Sequence, residues 1–291
     1  MTSFATATTV EDALEALAAG ARPVAGGTDL VVGARQGKAP LPDSIVAIHR
    51  VDALRGIEET NGGLRLGALT THAELVAHPV VRARFTALAD AAAIVGSHAT
   101  RAQGTIGGNL MNASPAMETG GPLMCFDATV ALRSATGTRS IAVADLFSGP
   151  GTTVAEPGEL LVFVDAPAPT QATGSAYVRL EYRRQMEIAV VGVTAAVTLD
   201  GDTVTGARVA ITALAPTIRR APEAEAALDG TPDVAAAARA AAEASAPISD
   251  VRASEGYRTA MAEVIARRAI EAALTRARGG TVPIPASGST S

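Results

Sequence analysis

Two glycine-paired segments constrain this chain more than any other feature: Val24-Ala25-Gly26-Gly27-Thr28-Asp29-Leu30 and Gly104-Thr105-Ile106-Gly107-Gly108-Asn109-Leu110. Paired glycines admit positive φ and remove the Cβ atoms that hold a ligand away from the backbone. Successive amides in such a turn converge on an anion without help from lysine or arginine. Each segment continues into a small polar residue and an aliphatic one. The pattern points to two loops gripping one elongated, phosphate-bearing ligand.

Local patterns around the two segments predict mixed α and β structure. Val10, Leu14 and Leu17 share a helical face, with Thr9 as N-cap and Asp12 three residues on. Gly20 ends that helix, Pro23 to Ala25 reads as a short strand, Leu30 to Arg35 as a short helix, and Ile45 to Ile48 as a strand. Asn61-Gly62-Gly63 predicts a hairpin between Gly56–Thr60 and Leu64–Leu69. Thr71 and Glu74 have capping-box spacing, Phe85 to Val95 follows as a helix, and Thr129–Arg133 with Arg139–Val143 forms a second hairpin.

Glu159 to Val164 reads as a buried strand, and the Pro/Ala/Thr-rich stretch Ala166 to Gly174 as a domain boundary. Beyond it, strands at Ile188–Leu199 and Val209–Leu214 precede helices at Glu223–Leu228, Val234–Ser245 and Tyr257–Arg276. That order predicts an α+β domain with helices on one sheet face. The Gly/Ser/Thr/Pro-rich residues after Gly279 predict a mobile tail.

Composition excludes several function classes. A net charge of −5 with 3% aromatic residues argues against nucleic-acid binding, which needs a basic surface. No apolar run is long enough to span a membrane, and Met1 to Glu11 lacks the pattern of a secretory signal, so a cytoplasmic location is expected. The single cysteine, Cys125, cannot form an intrachain disulfide or ligate an iron–sulfur cluster unaided. Gly33-Ala34-Arg35-Gln36-Gly37-Lys38 has one residue too few for a P-loop, and no nucleophile stands beside an evident base. Chemistry is therefore expected from a bound cofactor.

Taken in order, the two glycine segments with Arg101, Ala113-Ser114-Pro115-Ala116-Met117-Glu118, Pro157-Gly158-Glu159-Leu160-Leu161 and Arg183-Arg184 before Glu187-Ile188-Ala189 resemble the flavin subunit of the molybdenum hydroxylases. Ala215-Pro216-Thr217 and Ser249-Asp250-Val251-Arg252-Ala253-Ser254 extend the resemblance through about residue 275. It implies an α+β chain. A two-lobed FAD-binding domain of the vanillyl-alcohol-oxidase-like type would span residues 1–170, with lobes 1–55 and 56–170. A flavoprotein C-terminal domain at 174–280 and a flexible tail at 281–291 would follow.

The same resemblance implies FAD as cofactor. Val24, Ala25, Gly26, Gly27, Thr28, Asp29 and Leu30 would hold the diphosphate, with Thr105, Ile106, Gly107, Gly108 and Asn109 against the diphosphate and ribityl chain. Glu118 would accept from cofactor hydroxyls, and Asp29, Leu161 and Ile188 would sit near the isoalloxazine. Glu118 and Arg179 stand where relatives carry aspartate and lysine, which keeps charge and changes reach. The implied activity is electron relay from an iron–sulfur small subunit to NAD, quinone or oxygen. Substrate oxidation would belong to a molybdenum-binding large subunit, in a dimer of heterotrimers. The alternative is a self-contained FAD oxidoreductase of the same cofactor-binding fold.

Overall fold

Val10, Ala13, Leu14 and Leu17 recur at helical spacing, and all four are buried along one side of helix α1 (Val10–Ala18). Its start is fixed by a reciprocal cap. The Thr9 hydroxyl accepts the Asp12 amide, and the Asp12 carboxylate accepts the Thr8 and Thr9 amides. The computed structural model describes residues 3–37, 39–170 and 172–286. In the first lobe, α1 packs on a three-stranded parallel sheet of β1 (Ser3–Thr6), β2 (Arg22–Val24) and β3 (Ser44–Ala47), with β3 central. Helix α2 (Leu30–Arg35) follows the first glycine segment.

The second lobe is built on an antiparallel sheet of β4 (Ile57–Thr60), β5 (Gly63–Gly67), β6 (Thr129–Ser134), β7 (Gly137–Ala142) and β10 (Leu160–Pro167), ordered β4-β5-β10-β6-β7. A small pair, β8 (Phe147–Gly149) and β9 (Thr152–Thr153), lies between β7 and β10 in the chain. Six short helices run between β5 and β6: α3 (His72–Ala77), α4 (Pro79–Arg84), α5 (Thr86–Ile94), α6 (His98–Gln103), α7 (Ile106–Asn112) and α8 (Gly120–Cys125). Thr71 and Glu74 cap α3 reciprocally, as their spacing predicts. Both hairpins form at the expected turns.

The third sheet runs β11 (Thr173–Leu180), β12 (Val191–Asp200), β13 (Thr203–Thr212) and β14 (Arg219–Arg220), all antiparallel. Helices α9 (Pro222–Ala226), α10 (Val234–Glu243) and α11 (Glu255–Ala277) complete the chain. Side chains alternate between faces along a strand. Val178, Val193, Ala195, Val209 and Ile211 meet Ala262, Ile265, Ala266 and Ala269 of α11 in one core. Tyr177, Ala196 and Ala210 point the other way, into the core of the second lobe. Gly174 lets α11 close on the sheet, since a Cβ there would stand 2.1 Å from the Ala277 nitrogen.

Strand β11 corrects the sequence reading, which placed no strand between Gly174 and Ile188. Its residues 174–179 are buried on both sides, so the polar–apolar alternation of a half-exposed strand is missing. The tail is a second correction. Ala286 is buried and its amide reaches Asp90 Oδ1 at 3.0 Å, while Arg276 donates to the Val282 and Pro283 carbonyls. Residues 287–291 of that expected tail lie outside the described residues.

Asp90 on α5 is fully buried and takes four partners from the C-terminal part: both Arg276 Nη atoms at 2.6 and 3.0 Å, the Tyr177 amide and the Ala286 amide. Burial pushes its carboxyl up, against the pull of Arg276. Removing one member of a buried pair strands the other in a low-dielectric interior. Asp90→Asn and Arg276→Met are each expected to lower stability by about 3–5 kcal/mol, measured as a fall in the urea unfolding midpoint.

Candidate functional site

Strand β2 ends at Val24 and the chain turns back through Ala25, Gly26 and Gly27 before α2 begins at Leu30. Gly27 sits at φ +68°, a conformation that L side chains rarely adopt. Among the described residues, the amides of Gly26, Gly27 and Thr28 donate to no protein acceptor. Three consecutive N–H groups of half-buried residues are thus left without a protein acceptor among the described residues. Gly26 touches the other segment directly, since a Cβ on it would stand 1.9 Å from the Gln103 carbonyl oxygen. Gly104 lies between the first loop and α3, with Thr28 Oγ1 and His72 Cδ2 at 3.5 and 3.3 Å from where its Cβ would be.

The second glycine segment is not a turn with open amides. It is the cap and first turns of α7, with Thr105 as N-cap. Its donors are already used: the Ile106 amide on the Thr70 carbonyl at 2.9 Å, Gly107 on Ala68 at 3.0 Å, Gly108 on Thr105 Oγ1 at 3.1 Å and Asn109 on the Thr105 carbonyl at 2.9 Å. The expectation that both segments present main-chain donors is thus corrected. Sequence spacing could not reveal it, because Thr70 and Ala68 come from a strand end elsewhere in the chain. Gly107 permits close packing, its Cβ position being 2.7 Å from the Ala68 carbonyl oxygen. Gly108 is exposed, and a Cβ there would meet only the Thr105 hydroxyl. Asn109 Oδ1 accepts from the Thr119 hydroxyl.

Glu118 and Arg179 meet across the boundary between the second lobe and the third sheet, Arg179 Nη1 lying 2.5 Å from Glu118 Oε1. Their side chains are 8% and 1% exposed. Arg179 also reaches Glu181 at 2.6 Å and the Glu187 carbonyl at 3.5 Å. Glu118 therefore has a protein partner of its own. Asp29 is close enough to Glu118 for its charge to be felt there. One neighbourhood thus joins the first loop, α8's approach and β11.

Between β11 and β12, residues 181–190 form an irregular loop whose Met186 amide donates to the Gly96 carbonyl at 2.9 Å. Tyr182 anchors the loop to the C-terminal part by donating to the Arg252 carbonyl at 2.7 Å. Ile188 is 40% exposed on it, whereas Leu161 is buried in the core of the second lobe. Arg258 is buried and holds the Val190 and Ala213 carbonyls and Asp250. His72 was missed: it is 1% exposed, and burial with the nearby Arg101 charge lowers its pKa to about 4. Its capping-box position was legible, but its place beneath Gly104 was not. Cys125 is buried, which pushes its thiol up and leaves it unreactive. Among the described residues no helix is long and apolar enough to cross a membrane.

Burial pushes the Glu118 carboxyl up to about 7, against the pull of Arg179. A carboxyl whose folded value lies above its ordinary 4.5 adds stability below pH 4.5, and that contribution is lost as pH rises toward 7. Glu118→Gln is expected to flatten the stability–pH curve between those limits, checked by urea midpoints measured across the range.

Residues 1–169 match the family described as the FAD binding domain in molybdopterin dehydrogenase, and residues 176–273 match the CO dehydrogenase flavoprotein C-terminal domain. The chain is 33% identical over 239 residues to the carbon monoxide dehydrogenase medium chain of Hydrogenophaga pseudoflava, covering 81% of this chain and 83% of that one. It is 34% identical over 285 residues to the 6-hydroxypseudooxynicotine dehydrogenase complex subunit alpha of Paenarthrobacter nicotinovorans, covering 94% and 95%. A solved structure of the Hydrogenophaga pseudoflava carbon monoxide dehydrogenase, lacking the Mo-pyranopterin moiety of its molybdenum cofactor, superposes with a TM-score of 0.91 at 32% identity, covering 94% and 98%.

Proposed function

Because this chain belongs to the FAD-binding subunits of the molybdenum hydroxylase family, we propose that it is the flavin-carrying, electron-transferring subunit of a molybdenum-containing dehydrogenase. FAD, when bound, supplies two-electron redox chemistry that can also proceed one electron at a time. The observation that carries the reading in this chain is the run of open amides at Gly26, Gly27 and Thr28. Their geometry fits a diphosphate, since consecutive N–H groups form an anion-binding concavity. Gly27 and exposed Gly108 leave free the surface that side chains would fill.

The protein's own contributions follow from position. Val24, Ala25 and Leu30 frame the first loop, and Asp29 lies at its edge. Thr105, Ile106, Gly107, Gly108 and Asn109 supply a rigid wall facing it, not donors. Glu118 and Arg179 form a charged pair beside the loop, positioned to accept from and donate to polar groups of the cofactor. Ile188, exposed on its loop, supplies apolar cover that keeps water from the ring. Leu161 supports that cover from the core.

Relatives named as medium chains support companion subunits. The proposed partners are an iron–sulfur small subunit that delivers electrons and a molybdenum-binding large subunit that oxidises the substrate. Such a complex would form a dimer of heterotrimers in the cytoplasm. NAD, a quinone or oxygen would receive the electrons.

Purified with FAD available, the chain is expected to carry a flavin absorption spectrum. Gly27→Val forces a branched side chain to φ +68° and should weaken FAD binding by about tenfold or more while leaving the circular dichroism unchanged. Gly107→Ala should instead lower thermal stability, its Cβ colliding with the Ala68 backbone. Absence of flavin from the wild-type chain would refute the reading. Turnover of a small organic donor by the isolated chain would favour the self-contained oxidoreductase.

A further inference from the structure

Arg101 stands apart from the other arginines of this protein. It lies in the last turn of α6, two residues before Gln103, and is half-buried. Among the described residues its guanidinium makes one hydrogen bond, from Nη1 to the Val95 carbonyl at 3.0 Å, and no carboxylate lies within 4.0 Å of it. Every other described arginine that is not exposed has such a carboxylate. A guanidinium withdrawn from water without a counter-charge loses solvation and gains no Coulomb energy in return.

Its neighbours deepen the deficit. Burial and the charge of Arg179 hold the Arg101 guanidinium below its ordinary range, and Arg101 in turn helps keep His72 neutral. The His72 Nδ1 atom is buried and has no hydrogen-bond partner. His72 lies against Gly104, as does Thr28 of the first loop, whose amide is one of the three open donors. Arg101 is close enough for its charge to act on His72, and His72 and Thr28 both lie against Gly104, so the guanidinium and the open amides are gathered around the end of α6. What the guanidinium and the three amides lack, among the described residues, is an anionic oxygen partner of their own. Guanidinium is suited to that partner, since it meets phosphate oxygens in a planar, two-pronged geometry.

We propose that Arg101 binds an anionic phosphate oxygen at this end of α6, adding a side-chain contact to the amides of Gly26 to Thr28. The inference rests on the flavin-site reading. The phosphate has two candidate sources, the bound flavin dinucleotide and an incoming nicotinamide dinucleotide. Arg101→Gln removes the charge together with the bond to the Val95 carbonyl, whereas Arg101→Lys keeps the charge and loses the two-pronged contact.

The test titrates FAD into the flavin-free full-length chain and its variants at two salt concentrations. With the flavin as source, Arg101→Gln weakens FAD binding by about tenfold or more, reduces its salt dependence, and leaves riboflavin binding unchanged. Arg101→Lys recovers part of the loss. With the nicotinamide dinucleotide as source, FAD affinity holds, and the concentration of reduced dinucleotide giving half-maximal reduction of bound flavin rises by a similar factor. In either case the His72 titration midpoint, read by NMR in the flavin-free chain, moves up when the Arg101 charge is removed.

Unchanged binding of both dinucleotides overturns the proposal and leaves the flavin reading standing. Loss of riboflavin and FAD binding alike, with a lowered melting temperature, overturns it in favour of a purely structural bond to Val95. A wild-type chain that binds no FAD removes the flavin reading itself.

Discussion

At Gly26 the first lobe meets the second through main chain alone, because any side chain there would collide with the Gln103 carbonyl. That close approach puts the open amides of residues 26–28 beside the end of α6 and the cap of α7. A Cβ at this position would force the first loop and the Gln103 carbonyl apart by more than an ångström, and the donors and the wall would lose their alignment. The rest of the site inherits its geometry from this contact. Gly104, under Thr28 and over His72, extends the seam by one more residue without a side chain.

Charge then carries the third sheet into the same neighbourhood. A buried ion pair adds little net stability, since desolvation offsets most of its Coulomb energy. Its geometric effect is larger. Arg179 projects from β11 to Glu118 while holding the Glu187 carbonyl, so one guanidinium ties the sheet and the 181–190 loop to the second lobe. Arg258 repeats the device from α11, gripping the Val190 and Ala213 carbonyls. Both arginines join segments far apart in sequence, and each keeps an irregular backbone stretch in one place.

What could be read from the sequence was local. The caps at Thr9 and Thr71, the hairpins at Asn61-Gly62 and Thr136-Gly137, and the helical stripe of α1 all rest on interactions between residues a few positions apart. They form where expected. The two glycine segments were recognisable as special, and only the first is the open turn that paired glycines suggested. The second became a helix start because its amides found the Ala68 and Thr70 carbonyls, acceptors that no local pattern announces. β11 escaped notice for a related reason: burial on both faces erases alternation, and Thr173-Gly174-Ser175 reads as a loop. Arg101 stood out only through the family resemblance, and His72 only as part of a capping box. Their character comes from what surrounds them.

The clamp at Asp90 has a consequence for how the protein is made. Its carboxylate bonds to Arg276 and Ala286, 186 and 196 residues further along the chain. While a ribosome is still extending the polypeptide, α5 can dock against its own lobe, but this aspartate must stay hydrated until the final helix and the segment after it emerge. These contacts therefore cannot form until residues 276 to 286 have been made.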